Sequence, residues 1–142
     1  MTPERASPMR RDPDLRHFVD TALAAFTEAA PGPAAAASLG RIATALAPPA
    51  PVRAGPGQRL PVCAQLATAL GVAQPRPSLA RLGSAFRAIG PRLEWVRRAS
   101  LDETASANFA DGHANTMIPG PAGLENRPDV WLGASLLAPQ VR

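Results

Sequence analysis

From Asp12 onward the apolar positions fall into a helical rhythm. Leu15, Phe18, Val19, Ala22, Leu23 and Phe26 recur at i, i+3, i+4, i+7, i+8 and i+11, one stripe on a 3.6-residue period. A first helix is therefore expected from about Asp12 to Ala30, capped by Asp12 or Asp14, with Pro13 tolerated in its first turn. Pro31-Gly32-Pro33 ends it. A weaker, Ala-rich helix follows over residues 34–47, with Leu39, Ile42, Ala43 and Leu46 on one side. Residues 48–59 hold too much Pro and Gly for regular structure and read as a linker. A short helix at 61–70 aligns Val62, Leu66 and Leu70, with Gly71 as its C′ residue. A fourth, capped by Ser78, carries Leu79, Leu82, Phe86 and Ile89 and ends at Gly90-Pro91.

The period then changes. Residues 113–118 and 130–138 read as two strands, joined by a Pro- and Gly-rich loop over 119–129. His113, Asn115 and Met117 share one face of the first strand, and Ala114, Thr116 and Ile118 the other. The second strand is apolar enough to expect burial on both faces. Helices first and strands last argue for an α+β fold rather than alternating βαβ units. Three regions are expected: a disordered basic leader at 1–11, a helical region at 12–98 with the 48–59 linker inside it, and the start of a β-structure at 109–142. A two-stranded hairpin is marginal by itself. Only Pro139, Gln140, Val141 and Arg142 follow the second strand. The expectation is thus the front part of a larger fold, with an exposed apolar patch around Val130–Leu137 in the isolated chain.

Composition sharpens this. The apolar fraction of 46% is ordinary, but 30 of the 142 residues are Ala and only 4% are aromatic, so large core side chains are scarce. All 15 basic residues are Arg, and Tyr is absent. Together with the Ala, Pro and Gly excess, this points to GC-rich coding and weakens a nucleic-acid reading of the arginines. The net charge of +4 is uneven: residues 29–93 hold seven Arg and no acid. Such a block suits an acidic partner, or else sits on solvated helix faces. The single cysteine, Cys63, lies in an apolar stretch and reads as a buried thiol rather than a nucleophile. One cysteine fits a reducing compartment. No apolar run spans a bilayer and the charged N-terminus lacks a signal h-region, so a cytoplasmic protein without membrane or nucleic-acid partners is expected.

Candidate chemistry is sparse. The two histidines, His17 and His113, are far apart in sequence, and no Cys/His/Asp/Glu group has metal-ligand spacing. Gly55-Pro56-Gly57 lacks the strand-before, helix-after setting of a phosphate loop. Asp102-Glu103 reads as solvated rather than as an acid/base pair. Trp95 and Trp131 are core anchors or, alternatively, an aromatic face for a cationic ligand. His113 with Asn115 is either a wall of a binding pocket or a polar surface stripe.

Leu79–Arg142 carries a more specific pattern. Ala85-Phe86-Arg87-Ala88 is followed by Pro91-Arg92-Leu93 with Trp95 and Arg97-Arg98. Then come Phe109-Ala110-Asp111-Gly112-His113-Ala114-Asn115, Pro119-Gly120-Pro121, Gly123-Leu124-Glu125 and the run from Val130 to Pro139. This text resembles the front of the cupin-type dimethylsulfoniopropionate lyases, whereas residues 1–78 resemble them only in being helical. The resemblance implies an N-terminal helical region leading into the first strands of a cupin-like antiparallel β-barrel. It implies removal of the proton α to the substrate carboxylate, with dimethyl sulfide expelled and acrylate left. It also implies a divalent metal held by histidines and a glutamate, with a tyrosine as base. The family's His-x-His motif follows the strand that here ends at Pro139, and this chain has no Tyr and no His after His113. No catalytic or metal-binding residue is therefore assigned, no cofactor is expected in this chain, and it is expected to be a silent fragment. A small-molecule substrate is implied for the complete protein, and a homo-oligomer is left open. The alternative is a cupin-containing regulatory or sensory protein whose basic helices bind a partner protein.

Overall fold

A computed structural model describes residues 9–98 and 106–142. Asp102-Glu103 and residues 1–8 of the expected leader lie outside the described residues. The first helix, α1, runs Pro13–Ala29. Asp12 caps it by accepting the Leu15 N–H at 3.1 Å, and Pro13 takes the first position, where a missing N–H costs nothing. Leu15, Phe18, Val19 and Ala22 are buried as the stripe requires, but Phe26 is 45% exposed. The next helix, α2 (Pro33–Leu46), would have to cover that end of α1, and only its Leu46 is buried. Its Ala-rich face offers little area to dock with.

The third helical segment opens as a 3-10 turn, Pro61–Gln65, which buries Val62 and Cys63, and continues as α3 (Leu66–Gly71), of which no residue is buried. Gly71 is the last helical residue rather than the one beyond it. The fourth helix, α4, runs Pro77–Ile89. Ser78 does not cap it: Arg76 does, with no side-chain bond, and Ser78 lies buried inside the first turn. Only the second half of its stripe, Ala85, Phe86 and Ile89, is fully buried, and Leu79 is exposed. α1 packs chiefly against α4. Phe18 meets Phe86 edge-on at 6.1 Å between centroids, and Phe86 meets Trp95 at 6.3 Å. Such pairs add about 0.5–1.5 kcal/mol each beyond area burial.

The helical layer covers one face of a small antiparallel sheet. Its central strand, β2 (His113–Met117), follows the one-turn helix α5 (Phe109–Gly112). On one side β2 pairs with β1 (Trp95–Val96), a strand the sequence did not announce. On the other it pairs with β5 (Gly133–Leu137), in a register of His113 opposite Leu137 and Asn115 opposite Ser135. The sheet order is β1-β2-β5, so the sheet is open and not a closed barrel. Within the connecting loop, β3 (Pro119–Gly120) and β4 (Glu125–Asn126) form a short parallel pair. The α+β class expected from the sequence is observed. Burial of β5 on both faces is not: Leu136 is its only buried residue. Helices cover one side of the sheet, so the strand's alternation leaves the other side bare. Trp131, expected as a core anchor inside that strand, precedes it and is 75% exposed, whereas Trp95 is buried.

Residues 48–59 form no helix, yet they are sewn into the fold on both sides. The Asn126 N–H donates to the Pro51 carbonyl and the Arg53 N–H to the Leu124 carbonyl, each at 2.8 Å. The Gly57 N–H reaches the Pro91 carbonyl at 3.0 Å, and the Trp95 N–H reaches the Gln58 carbonyl at 2.9 Å. Gly57 is required by close approach: a Cβ there would lie 1.9 Å from the Leu93 carbonyl oxygen. One apolar core joins α1, α4, this strap and the sheet, from Leu15 to Leu136.

Candidate functional site

The bare face of the sheet is where the sequence-predicted polar residues collect. Alternation sends Ala114 and Thr116 of β2, and Ile118 beyond it, into the core, where all three are buried. His113, Asn115 and Met117 point the other way, but His113 is buried and Met117 is half-buried against Gly120 and Gly123, so the open part of this face lies around Asn115. Register then sets their neighbours: Val96 and Ser135 flank Asn115, and Leu137 lies opposite His113. Asn115 Oδ1 accepts the Ser135 hydroxyl at 2.6 Å. That bond fixes the amide orientation and leaves its N–H groups directed away from Ser135. The His113 ring stacks on Phe109 of α5, with centroids 4.4 Å apart. Half-exposed Val96 and Leu137 border the group. The face thus offers oriented amide N–H donors on an apolar floor, a combination suited to fixing a carboxylate or carbonyl by hydrogen bonds. It offers no paired carboxylates and no nucleophile–base pair.

The remaining sequence candidates lie elsewhere. His17 is exposed on α1 and borders a shallow cleft with Asp20, Ser78 and Arg81. Cys63 is a buried thiol. Glu94, beside Trp95, accepts the Gln58 N–H at 2.8 Å and so anchors the strap. No group of three or more His, Cys, Asp or Glu side chains able to hold a metal lies among the described residues.

The strongest electrostatic feature was missed at the level of sequence. Glu125 of β4 is completely buried (0% exposed) between two arginines. Arg11 grips it with both ends of its guanidinium, Nε to Oε2 at 2.7 Å and Nη2 to Oε1 at 3.0 Å. Arg127 Nη1 donates to Oε1 at 2.6 Å. Arg127 in turn forms a two-pronged pair with Asp129, at 2.7 and 3.1 Å, and donates to the Pro48 carbonyl at 2.9 Å and to the Ala45 carbonyl. Arg11 also donates to the Leu46 carbonyl. Hydrogen bonds donated to the Asp129 carboxylate, opposed by burial and reinforced by Glu125, raise the Arg127 pKa. The same guanidinium holds the Asp129 carboxyl below its ordinary value. This network clamps the C-terminal end of α2, where unpaired helix carbonyls need donors, to the β3–β4 loop. Both of its oxygens already accept guanidinium N–H groups, so Glu125 is not free to ligate. The sequence did contain a signal: Glu125, Arg127 and Asp129 alternate along an extended segment and so share one side. Nothing in the pattern could have pointed to Arg11, the last residue of the expected leader.

No curated protein and no solved structure matches the chain. A family model described as dimethylsulfoniopropionate lyase matches residues 34–142. The match starts well before Leu79, where the resemblance in the sequence begins, and takes in α2, the strap and α3. It spans more than half of the chain, through the sheet and its bare face, and the chain belongs to the dimethylsulfoniopropionate lyase family.

Proposed function

We propose that this chain serves the carbon–sulfur lyase reaction of its family as scaffold and substrate-facing wall. The family match over residues 34–142 carries this reading. In that reaction a base removes a proton from the carbon α to the carboxylate of dimethylsulfoniopropionate. The electron pair left behind becomes the new double bond as the C–S bond breaks, and the sulfur leaves with the bonding pair as neutral dimethyl sulfide. Acrylate remains. The Asn115 amide N–H groups, oriented by the Ser135 hydroxyl, are suited to hold the carboxylate end against the sheet, with Val96 and Leu137 as its apolar border. The resemblance implies a divalent metal and a tyrosine base. The residues present do not fit that set: the chain has no Tyr, the described residues hold no metal-capable cluster, and Glu125 is consumed by two arginines. The base is therefore not assigned to this chain. β5 has β2 on one side and no strand among the described residues on the other. That open edge is where strands carrying the missing groups would pair. The single cysteine supports a cytoplasmic setting.

The test has two arms. The 142-residue chain, incubated with dimethylsulfoniopropionate and added divalent ions, should release no dimethyl sulfide above the blank. Metal-dependent release would overturn the scaffold role while keeping the lyase. The product of the native gene, with its intact mass measured alongside, should release dimethyl sulfide. Failure there, with protein folded and metal supplied, would remove the lyase reading.

A further inference from the structure

We propose that the groove between α3 and α4 docks an acidic amphipathic helix of a partner protein. The inference is independent of the lyase reading. The groove encloses about 490 Å³ and is floored by Leu70, Val72, Leu79, Leu82 and Phe86, with Arg87 on its wall. Val72 and Leu79 are exposed, and no residue of α3 is buried. The apolar face of this helix pair is therefore incompletely covered by its own chain.

Charge says what covers it. The groove sits inside the stretch 29–93, which holds seven arginines and no acid. Arg76, Arg81 and Arg87 lie on α4 or at its cap, and none of them pairs with an acid among the described residues. The first turn of α4 also carries no acid. Arg76 thus sits beside the positive end of the helix dipole with nothing to offset it, an arrangement that an incoming carboxylate relieves. Arg76, Ala80, Gly83 and Arg87 follow one row of α4, so the two arginines bracket the groove about 16 Å apart at 1.5 Å per residue. An apolar floor between two cationic ends matches a helix of about three turns with a leucine stripe and flanking glutamates. Among the described residues, a second copy of this chain does not supply such a helix. Its acid-bearing α1 has its stripe already covered by α4, and α2, α3 and α4 carry no acid.

The probe is a fluorescein-labelled synthetic peptide with Leu at i, i+3, i+4 and i+7 and Glu on the flanks, followed by anisotropy as the full chain is titrated in. Saturable binding is expected, weakening as salt is raised from low to physiological strength. Arg76→Glu and Arg87→Glu should each weaken it about threefold to fivefold, the scale of an exposed ion pair. Leu79→Gln, at an exposed position, should weaken it with unchanged far-UV circular dichroism. A scrambled peptide of the same composition should bind far less. Equal binding of the scrambled peptide would overturn the proposal, because charge alone would then suffice. So would binding of phosphatidylserine vesicles or duplex DNA without the peptide, a dimer that Arg87→Glu dissolves, or no binding at all.

Discussion

Replacing Glu125 by Gln tests whether the buried network holds the helical layer to the sheet. The change keeps shape and removes one negative charge. In the native site two guanidiniums are balanced by two carboxylates, Glu125 and Asp129. Glutamine leaves one positive charge without its partner and offers a single acceptor oxygen. At least one of the three guanidinium N–H groups that reach Glu125, at 2.6, 2.7 and 3.0 Å, must then face an amide N–H. Hydrogen bonds to charged groups contribute about 1.5–3 kcal/mol each, so three of them suggest a loss of about 5–9 kcal/mol. That overshoots, because the bonds are not additive and both guanidiniums keep other acceptors, among them the Leu46 and Pro48 carbonyls. Removing one partner from a buried pair costs about 3–5 kcal/mol. Half-exposed Asp129 admits water to one side of the network, so we expect the lower end, about 3 kcal/mol.

With a urea m-value of about 1–3 kcal/mol/M, such a loss moves the unfolding midpoint down by about 1–3 M. Far-UV circular dichroism and tryptophan fluorescence would follow the transition together. Adding Arg11→Gln to Glu125→Gln should cost less than Arg11→Gln alone, because its charge no longer has a buried partner to lose. Asp20→Asn is the control. It breaks the exposed Arg16–Asp20 contact at 3.8 Å and should cost less than about 0.5 kcal/mol. A loss below about 1 kcal/mol for Glu125→Gln would refute the reasoning and reduce the network to a surface contact.

Three further outcomes follow from single sites. Gly57→Ala should lower stability by about 1–3 kcal/mol in a thermal melt, since its Cβ would meet the Leu93 carbonyl at 1.9 Å and the strap must shift; an unchanged melt would mean the strap is loosely held. Thr116→Val should raise stability by about 1 kcal/mol, because the Thr116 hydroxyl is buried without a hydrogen-bond partner among the described residues; a loss in urea titration would mean the hydroxyl is bonded. The pH dependence is set by Asp12 and Asp129. Asp12 is held below the ordinary carboxylate value of 3.8 first by the Leu15 N–H and then by Arg92, and Asp129 is held below it by Arg127. A lowered folded-state pKa contributes stability above the unfolded value, which is lost as pH falls through the folded one. The urea midpoint should therefore hold from neutral pH down to about 4 and drop below it, and Asp12→Asn with Asp129→Asn should make that drop shallower.

The sequence disclosed those features that depend on local periodicity. α1, with its Asp12 cap and Pro13 start, and the antiparallel pair β2–β5 were legible because each obeys one rhythm with clear stop signals. Features fixed by distant partners were not. β1 is two residues long and exists because the strap and β2 pair with it on either side. Ser78 looked like a cap, but Pro77 already occupies the first helical position and so moves the cap to Arg76. Trp131 looked like core by residue type, and it is exposed because the hollow it borders with Leu23, Phe26, Leu39 and Ile42 is not closed over it. At the site, alternation gave the His113–Asn115 face, while the Ser135 partner needed the register. The Arg11–Glu125 pair, 114 positions apart, had no local signature at all.

That long-range pair bears on where the family scaffold begins. The family match starts at residue 34, beyond the end of α1. Yet α1 and the residues before it are fastened to matched residues in three ways. Arg11 grips Glu125, Asp12 meets Arg92 at 3.0 Å, and Phe18 packs on Phe86. Arg92 lies just ahead of β1, and Glu125 lies in β4, which the strap bridges at Val52. The attachment thus reaches the sheet through its first strand and through its connecting loop, and it does so from the face opposite Asn115 and Ser135. A helix outside the family's matched span is in this way built into the back wall of the family's sheet. Changes in α1 should therefore register on the bare face through the position of β1 and β2, without any α1 side chain touching a bound molecule.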